Sequence, residues 1–193
     1  MTAMHLRANR SQSPIAVVRY RLSQALVQVF ASRRETEVPE SLAAIIHGAI
    51  AIPFARLSIA DRTHLESTAI KLRDAGWDGD VVAAGLLHDI GKAAHGPGPT
   101  VIDRGVWVLL KRTWPSLATR IANCEGRPLA GAGLWRLARH AESGATMLHA
   151  AGYNDRVCWL VRNHERSDLG DPGLRALIAA DDARPIPVSG ARQ

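Results

Sequence analysis

The chain has 193 residues and 47% hydrophobic content, long enough to bury a core and too ordinary in composition for a fibrous, disordered or disulfide-framework protein. Its formal charge of +6 suits an anionic ligand, but the excess comes mostly from dispersed arginines, and no basic patch interleaved with aromatics supports a nucleic-acid platform. Cys124 and Cys158 stand far apart with no C-x-x-C, and the longest apolar window, 42–57, is interrupted by His47, Gly48, Pro53 and Arg56, so neither a zinc ribbon nor a bilayer span is expected.

Aromatic residues make up only 5%, Ala, Leu and Arg dominate, and no sustained period-2 stretch occurs, so the expected fold class is all-α. Residues 1–13 are polar and basic and read as a disordered tail without the apolar run of a signal peptide. A helical extension is expected over 14–57. In it, Val18, Leu22, Ala25, Leu26, Val29 and Phe30 form an amphipathic stripe, and a second helix runs from Pro39 to about Phe54 with His47 as a core or interface histidine. Ser58 or Asp61 caps the next helix, which ends at Asp74 before Gly76. Leu65, Ala69 and Leu72 form its core stripe. His64 lies one step round, in line with Ser67, Thr68 and Lys71, a face polar enough to border a solvent-filled site.

The stretch Val81–Lys92 reads as an apolar helix ending in His88, Asp89, Gly91 and Lys92. Counting back by three, four and seven residues from His88 or Asp89 meets apolar residues and Gly85, so both polar side chains point inward. A buried carboxylate needs a partner or neutralisation, and beside an imidazole a divalent metal serves both groups. Further helices are expected over 102–112 and 116–123, divided at Trp114-Pro115. A Gly-rich linker, 126–133, then leads to a helix over 134–150 with the stripe Leu137, Ala141, Ala145 and Leu148. His140 is adjacent to that stripe, and Gly144 and Ala145 permit close helix approach. In the last two helices the same count leads from Val157, Leu160 and Val161 to His164, and from Leu174, Leu177 and Ile178 to Asp181. Asp182 is about 100° further round and should face outward. His88, Asp89, His164 and Asp181 thus each continue an apolar face with a metal-competent side chain.

These residues carry a resemblance. His64, His88-Asp89 within Leu-Leu-His-Asp-Ile-Gly-Lys, and the Asp of Ala-Ala-Asp at 179–181 resemble the lone His, HD pair and late Asp of the HD superfamily of metal-dependent phosphohydrolases. His140 in Arg-His-Ala-Glu-Ser-Gly-Ala and His164 in Arg-Asn-His-Glu match the two extra histidines of its two-metal subgroup. The likeness is nearest to the small bacterial HD hydrolases of diadenosine tetraphosphate, over roughly 61–183. Asn163-His164-Glu165-Arg166-Ser167-Asp168 is also similar to the start of the HD-GYP motif, but Asn163 stands where that family has another His, and no Gly-Tyr-Pro follows.

The resemblance implies a helical bundle of the HD/phosphodiesterase type, with the HD domain over 58–183 and a flexible tail over 184–193. By its analogy His64, His88, Asp89 and Asp181 hold one divalent metal, and His140 and His164 hold a second that shares Asp89. N/O ligation without thiolates suits Fe, Mn, Co, Zn or Mg. Two such cations roughly 3.5–4 Å apart activate a water for phosphoryl displacement. Asp89 and Lys92 are the expected catalytic residues, Lys92 neutralising a phosphate oxygen. The expected protein is a cytoplasmic phosphohydrolase of a nucleotide or related phosphate ester or anhydride, with no membrane or nucleic-acid partner and no stated oligomeric state. The alternative is a non-catalytic HD-fold module that binds metal or nucleotide and regulates.

Overall fold

An apolar helix lies at the centre of the described residues. In this computed structural model these are residues 40–94, 99–124, 132–187 and 189, and all of them belong to one compact unit, Thr36–Gln193. The expectations for the tail over 1–13 and for the helix bearing Val18 to Phe30 fall outside them.

The elements are helical throughout: α1 (Glu40–Ala43), α2 (Ala51–Arg56), α3 (Ile59–Asp74), α4 (Gly79–Leu87), α5 (Val101–Thr113), α6 (Pro115–Ala122), α7 (Ala132–Ala150), α8 (Asp155–Asn163) and α9 (Pro172–Asp181). Two 3-10 turns, Gly48–Ile50 and Ile90–Ala93, join them, and no strand occurs among the described residues. No helix among them is long and apolar enough to cross a membrane.

Local chemistry explains most of the boundaries. Ser58, Asp78, Asn154 and Asp171 each accept a hydrogen bond from the backbone N–H three residues on, at 2.8–3.1 Å, and so start α3, α4, α8 and α9. Thr100 and Asp103 form a reciprocal capping box at the start of α5. Gly76, at φ +78°, lies in the left-handed turn that follows α3, as its position in the sequence predicts.

Every residue of α4 from Val81 to Leu87 is buried, the pattern of a helix apolar all round. It packs on the Leu65, Ala69 and Leu72 face of α3, where Gly85 permits close approach: a Cβ there would lie 2.6 Å from Leu72 Cδ1 and 3.3 Å from Ala69 Cα. Val157, Leu160 and Val161 of α8 and Leu174 and Leu177 of α9 complete the core. Burying these large aliphatic side chains contributes roughly 1.5–3 kcal/mol each relative to exposure.

The single helix expected from Pro39 to Phe54 is broken into α1, the Gly48–Ile50 turn and α2. Gly48, at φ +56°, takes a conformation that interrupts an α-helix, and periodicity alone does not reveal it. His47 is consequently exposed rather than buried in a helix. It stacks on the Tyr153 ring at 4.4 Å between centroids, while Tyr153 Oη donates to the Ile45 carbonyl at 2.5 Å. The expected linker also ends early, since α7 begins at Ala132. In the stretch read as a tail, the Arg184 N–H bonds the Ala179 carbonyl at 2.8 Å, and Trp77 Nε1 donates to the Pro187 carbonyl at 2.9 Å.

Helix α5 is tied to α3 by a contact between segments far apart in the chain. Arg104 grips the carboxylate of Asp61 with both guanidinium ends, at 2.7 and 2.6 Å, and Ser58 Oγ donates to the same carboxylate at 2.6 Å. Burial would push the Asp61 carboxyl up, but the Arg104 hydrogen bonds, the charges of Lys92 and Arg104 and the Ser58 hydroxyl hold it below the usual range. Arg104→Ala leaves that buried carboxylate without its principal counter-ion. We expect it to cost about 2–3 kcal/mol, discounted from the roughly 3–5 kcal/mol of a fully buried broken pair because Arg104 is partly exposed. The melting temperature should fall by roughly 5–10 °C. Adding Asp61→Asn should recover part of the loss, and an unchanged melting temperature in the single variant would show that the pair contributes little.

Candidate metal centre

Three helices end at one place. His88 is the residue after α4, His164 the residue after α8, and Asp181 the last of α9. Helix C-termini present unpaired carbonyls and the negative ends of their dipoles, so their convergence favours cations. His64 comes in from α3 and His140 from α7. Asp89 follows His88 directly, before the turn that carries Lys92.

The imidazoles are oriented alike. His88 Nδ1 lies 3.0 Å from the Gly85 carbonyl, His140 Nδ1 2.7 Å from that of Leu137, and His164 Nδ1 2.7 Å from that of Val161. A carbonyl only accepts, so each Nδ1 carries the proton, and in the neutral ring each Nε2 is a bare lone pair. Those lone pairs face one another and face carboxylates. His140 Nε2 is 3.1 Å from His164 Nε2 and 3.2 Å from Asp89 Oδ1. His88 Nε2 is buried without a hydrogen-bond partner, 3.7 Å from Asp89 Oδ2 and 3.4 Å from Asp181 Oδ1. Electron-rich atoms this close in a water-poor setting repel unless a proton or a metal ion lies between them. The donor set therefore fits a metal.

The groups form two sets joined at one residue. Ligand atoms of His64, His88 and Asp89 all lie within 4.8 Å of one another, and so do those of Asp89, His140 and His164. Asp181 stands against the first set, its Oδ1 2.7 Å from His64 Nε2. The side chains of His64 and Asp181 are 25% and 32% exposed, against 1% for His88 and 7% for Asp89, so the centre opens to solvent on the His64–Asp181 side.

The electrostatics follow from this packing. Burial opposes charge on His88, yet Asp89 and Asp181 outweigh it and push its pKa up to about 9. Without metal the site thus draws a proton onto His88, which a metal has to displace. Burial and the charges of His88 and His140 pull His164 down to about 4. Burial pushes the Asp89 and Asp181 carboxyls up, but both lie well below the usual range: Lys92, His88 and His140 outweigh burial at Asp89, and the His64 hydrogen bond with the nearby His88 and His64 charges does so at Asp181. Lys92 Nζ donates to Asp89 Oδ2.

All six residues expected as ligands lie in this one place, with Lys92 beside them. His140 departs from its expected position beside the α7 stripe. It is buried, as are Leu137, Gly144, Ala145 and Leu148, whereas Ala141 is only partly so. The helix tolerates a buried imidazole at this point because Asp89 faces it.

Asp182 turns to Arg184, whose Nη2 is 2.9 Å from its carboxylate. We expect Asp181→Ala to lower metal content and Asp182→Ala to leave it close to wild type, as read by elemental analysis after reconstitution. Equal effects would undo the helical-phase argument that separates the two.

Sequence reading missed the role of Gly91. A Cβ at this position would lie 1.9 Å from the His140 carbonyl oxygen and 2.6 Å from the Gly144 N, both backbone atoms that cannot step aside. The close approach that Gly144 permits is therefore made by the Ile90–Ala93 turn as well as by α8, whose Val161 Cγ1 would lie 3.4 Å from a Cβ at Gly144. A glycine two residues after Asp89 and another four after His140 were the available signals. Gly91→Ala should wedge α7 away from the turn, at a cost of about 1–3 kcal/mol. It should also weaken metal binding at His140 and His164 more than at His64 and Asp181. Calorimetric melting and metal titration would check this, and a variant with wild-type values in both would show that the contact is unimportant.

Among known proteins, the chain matches a family described as the HD domain, over residues 62–189. No curated protein and no solved structure matches the chain. HD domains bind divalent metals, and the family is one of metal-dependent phosphohydrolases. With the match spanning more than half of its length and the His/Asp cluster inside the matched region, the chain belongs to the HD domain family.

Proposed function

We propose that the protein is a two-metal phosphohydrolase acting on a nucleotide anhydride, of which a dinucleoside tetraphosphate is the type. The observation that carries this reading is the pair of ligand sets sharing Asp89. In it His64, His88, Asp89 and Asp181 would hold one divalent ion, and His140, His164 and Asp89 would hold the other. Bound there, the ions supply an activated water and neutralise charge on the reacting phosphate.

The chain's own residues orient and balance. The Nδ1 hydrogen bonds to the carbonyls of Gly85, Leu137 and Val161 fix each ring with Nε2 inward, so little reorganisation accompanies binding. With Asp89 engaged by metal, Lys92 would be free of Oδ2. Its ammonium then neutralises a nonbridging oxygen of the phosphate under attack. In the hydrolysis a water oxygen would form a bond to phosphorus as the bond from phosphorus to the bridging oxygen breaks; the second phosphate would leave with that oxygen, and the water's protons would pass to the two phosphate products and solvent. The likeness of the motif set to the diadenosine tetraphosphate hydrolases supports an anhydride substrate.

The test is a hydrolysis screen of nucleotides, dinucleoside polyphosphates and cyclic dinucleotides with protein reconstituted in Mn or Fe and shown to hold metal. Cleavage of a symmetric dinucleoside tetraphosphate is the expected result. Fully metallated protein that hydrolyses none of them would favour the non-catalytic regulatory module.

A further inference from the structure

A cleft of about 580 Å³ opens along the flank of α7, and none of the six candidate ligand residues lines it. Its size lies within the roughly 300–1,000 Å³ of small-molecule sites. The floor is apolar, made by the buried Ala93 and Ala94 at the end of the Ile90–Ala93 turn together with Pro53 and Met147. Trp135 lies almost wholly buried in the wall, with the Arg139 guanidinium 5.7 Å from its ring centroid. Glu142 holds Arg139 in place at 2.7 Å. Arg56 contributes a second cation from α2 and, among the described residues, makes no ion pair.

Two guanidinium groups against one carboxylate leave net positive charge, while the alanine floor and indole wall offer apolar area. A hydrated inorganic ion gains nothing from that floor, and an uncharged hydrophobe leaves Arg56 unanswered. We propose that this cleft binds a small aromatic anion, a flat ring system bearing a phosphate, sulfonate or carboxylate, at a site separate from the metal cluster. The flat body packs against the floor and the Trp135 edge, and the anionic group reaches Arg56 and Arg139. The turn is common to both places: Lys92 meets Asp89, Ala93 and Ala94 floor the cleft, and Gly91 abuts α7 at His140.

The probe is 1-anilinonaphthalene-8-sulfonate, an aromatic anion with no hydrolysable phosphate, titrated into the full-length protein and followed by fluorescence and calorimetry. The readout is binding alone, so it stands or falls independently of the hydrolase reading. One saturable site is expected in the wild type. Arg56→Glu should weaken it at least about tenfold by reversing the charge, and Thr146→Trp should abolish it by filling the cleft. Both positions are exposed, and circular-dichroism melting confirms that the variants fold. Leu109→Ser, on the exposed apolar side of α5, should bind like wild type. Absence of saturable binding, wild-type affinity in either cleft variant, or loss of binding in Leu109→Ser would overturn the proposal.

Discussion

Asp89→Ala is expected to deprive the protein of both metal ions and to lower hydrolysis by orders of magnitude while the helical content persists. Asp89 is common to both ligand sets, and its two oxygens face different neighbours, Oδ1 toward His140 and Oδ2 toward His88 and Lys92. Any other single ligand leaves one set intact; this one does not. The substitution also removes the charge that holds Lys92 in place, and the long lysine side chain can swing to solvent, so the cost to folding is small beside the loss of metal. Asp89→Asn keeps the shape and removes the charge. It should bind far less metal than wild type, because a neutral amide is a poor bridge between two cations. Elemental analysis after reconstitution reads the result directly. An Asp89→Ala protein that still holds about one equivalent would mean that the sets are independent, and the two-metal mechanism would lose its bridge.

His140→Ala and His164→Ala are expected each to remove about one equivalent of metal, with hydrolysis falling by orders of magnitude, because the proposed chemistry requires both ions. The two rings lie with Nε2 atoms 3.1 Å apart, so each substitution removes half of the pair that faces Asp89 from that side. Both residues are buried, and a packing role is the competing explanation for either. Metal content separates the two explanations. A packing loss lowers the melting temperature with stoichiometry unchanged, whereas loss of a ligand changes stoichiometry. Replacement by Gln, which retains volume and a polar tip, should restore stability more than metal. His140→Ala with full metal content and normal turnover would reduce the centre to one ion, and the dinucleoside tetraphosphate reading would fall with it.

Much of this arrangement is local and therefore legible in the chain itself. Helical class follows from composition and period. The starts of α3, α4, α8 and α9 follow from capping by Ser58, Asp78, Asn154 and Asp171, since a cap needs only the next three residues. The inward direction of His88, His164 and Asp181 follows from counting along an apolar face, because 3.6 residues per turn fixes a side chain's bearing relative to its own helix.

Periodicity does not say what lies opposite. His140 stood only beside a stripe in the sequence, and Asp89, 51 positions earlier, is what makes a buried imidazole at that point tolerable. The Asp61–Arg104 grip and the Gly91–His140 backbone contact likewise join segments whose approach is set by core packing and loop closure. The break at Gly48 escaped because an isolated glycine within an apolar run fits either a helix or a turn, and its positive φ is settled by how the flanking segments pack. Helical phase determined where each candidate ligand points. Only the tertiary structure decided that they point at one another, because proximity between distant residues belongs to the packed core and not to any one stretch of sequence.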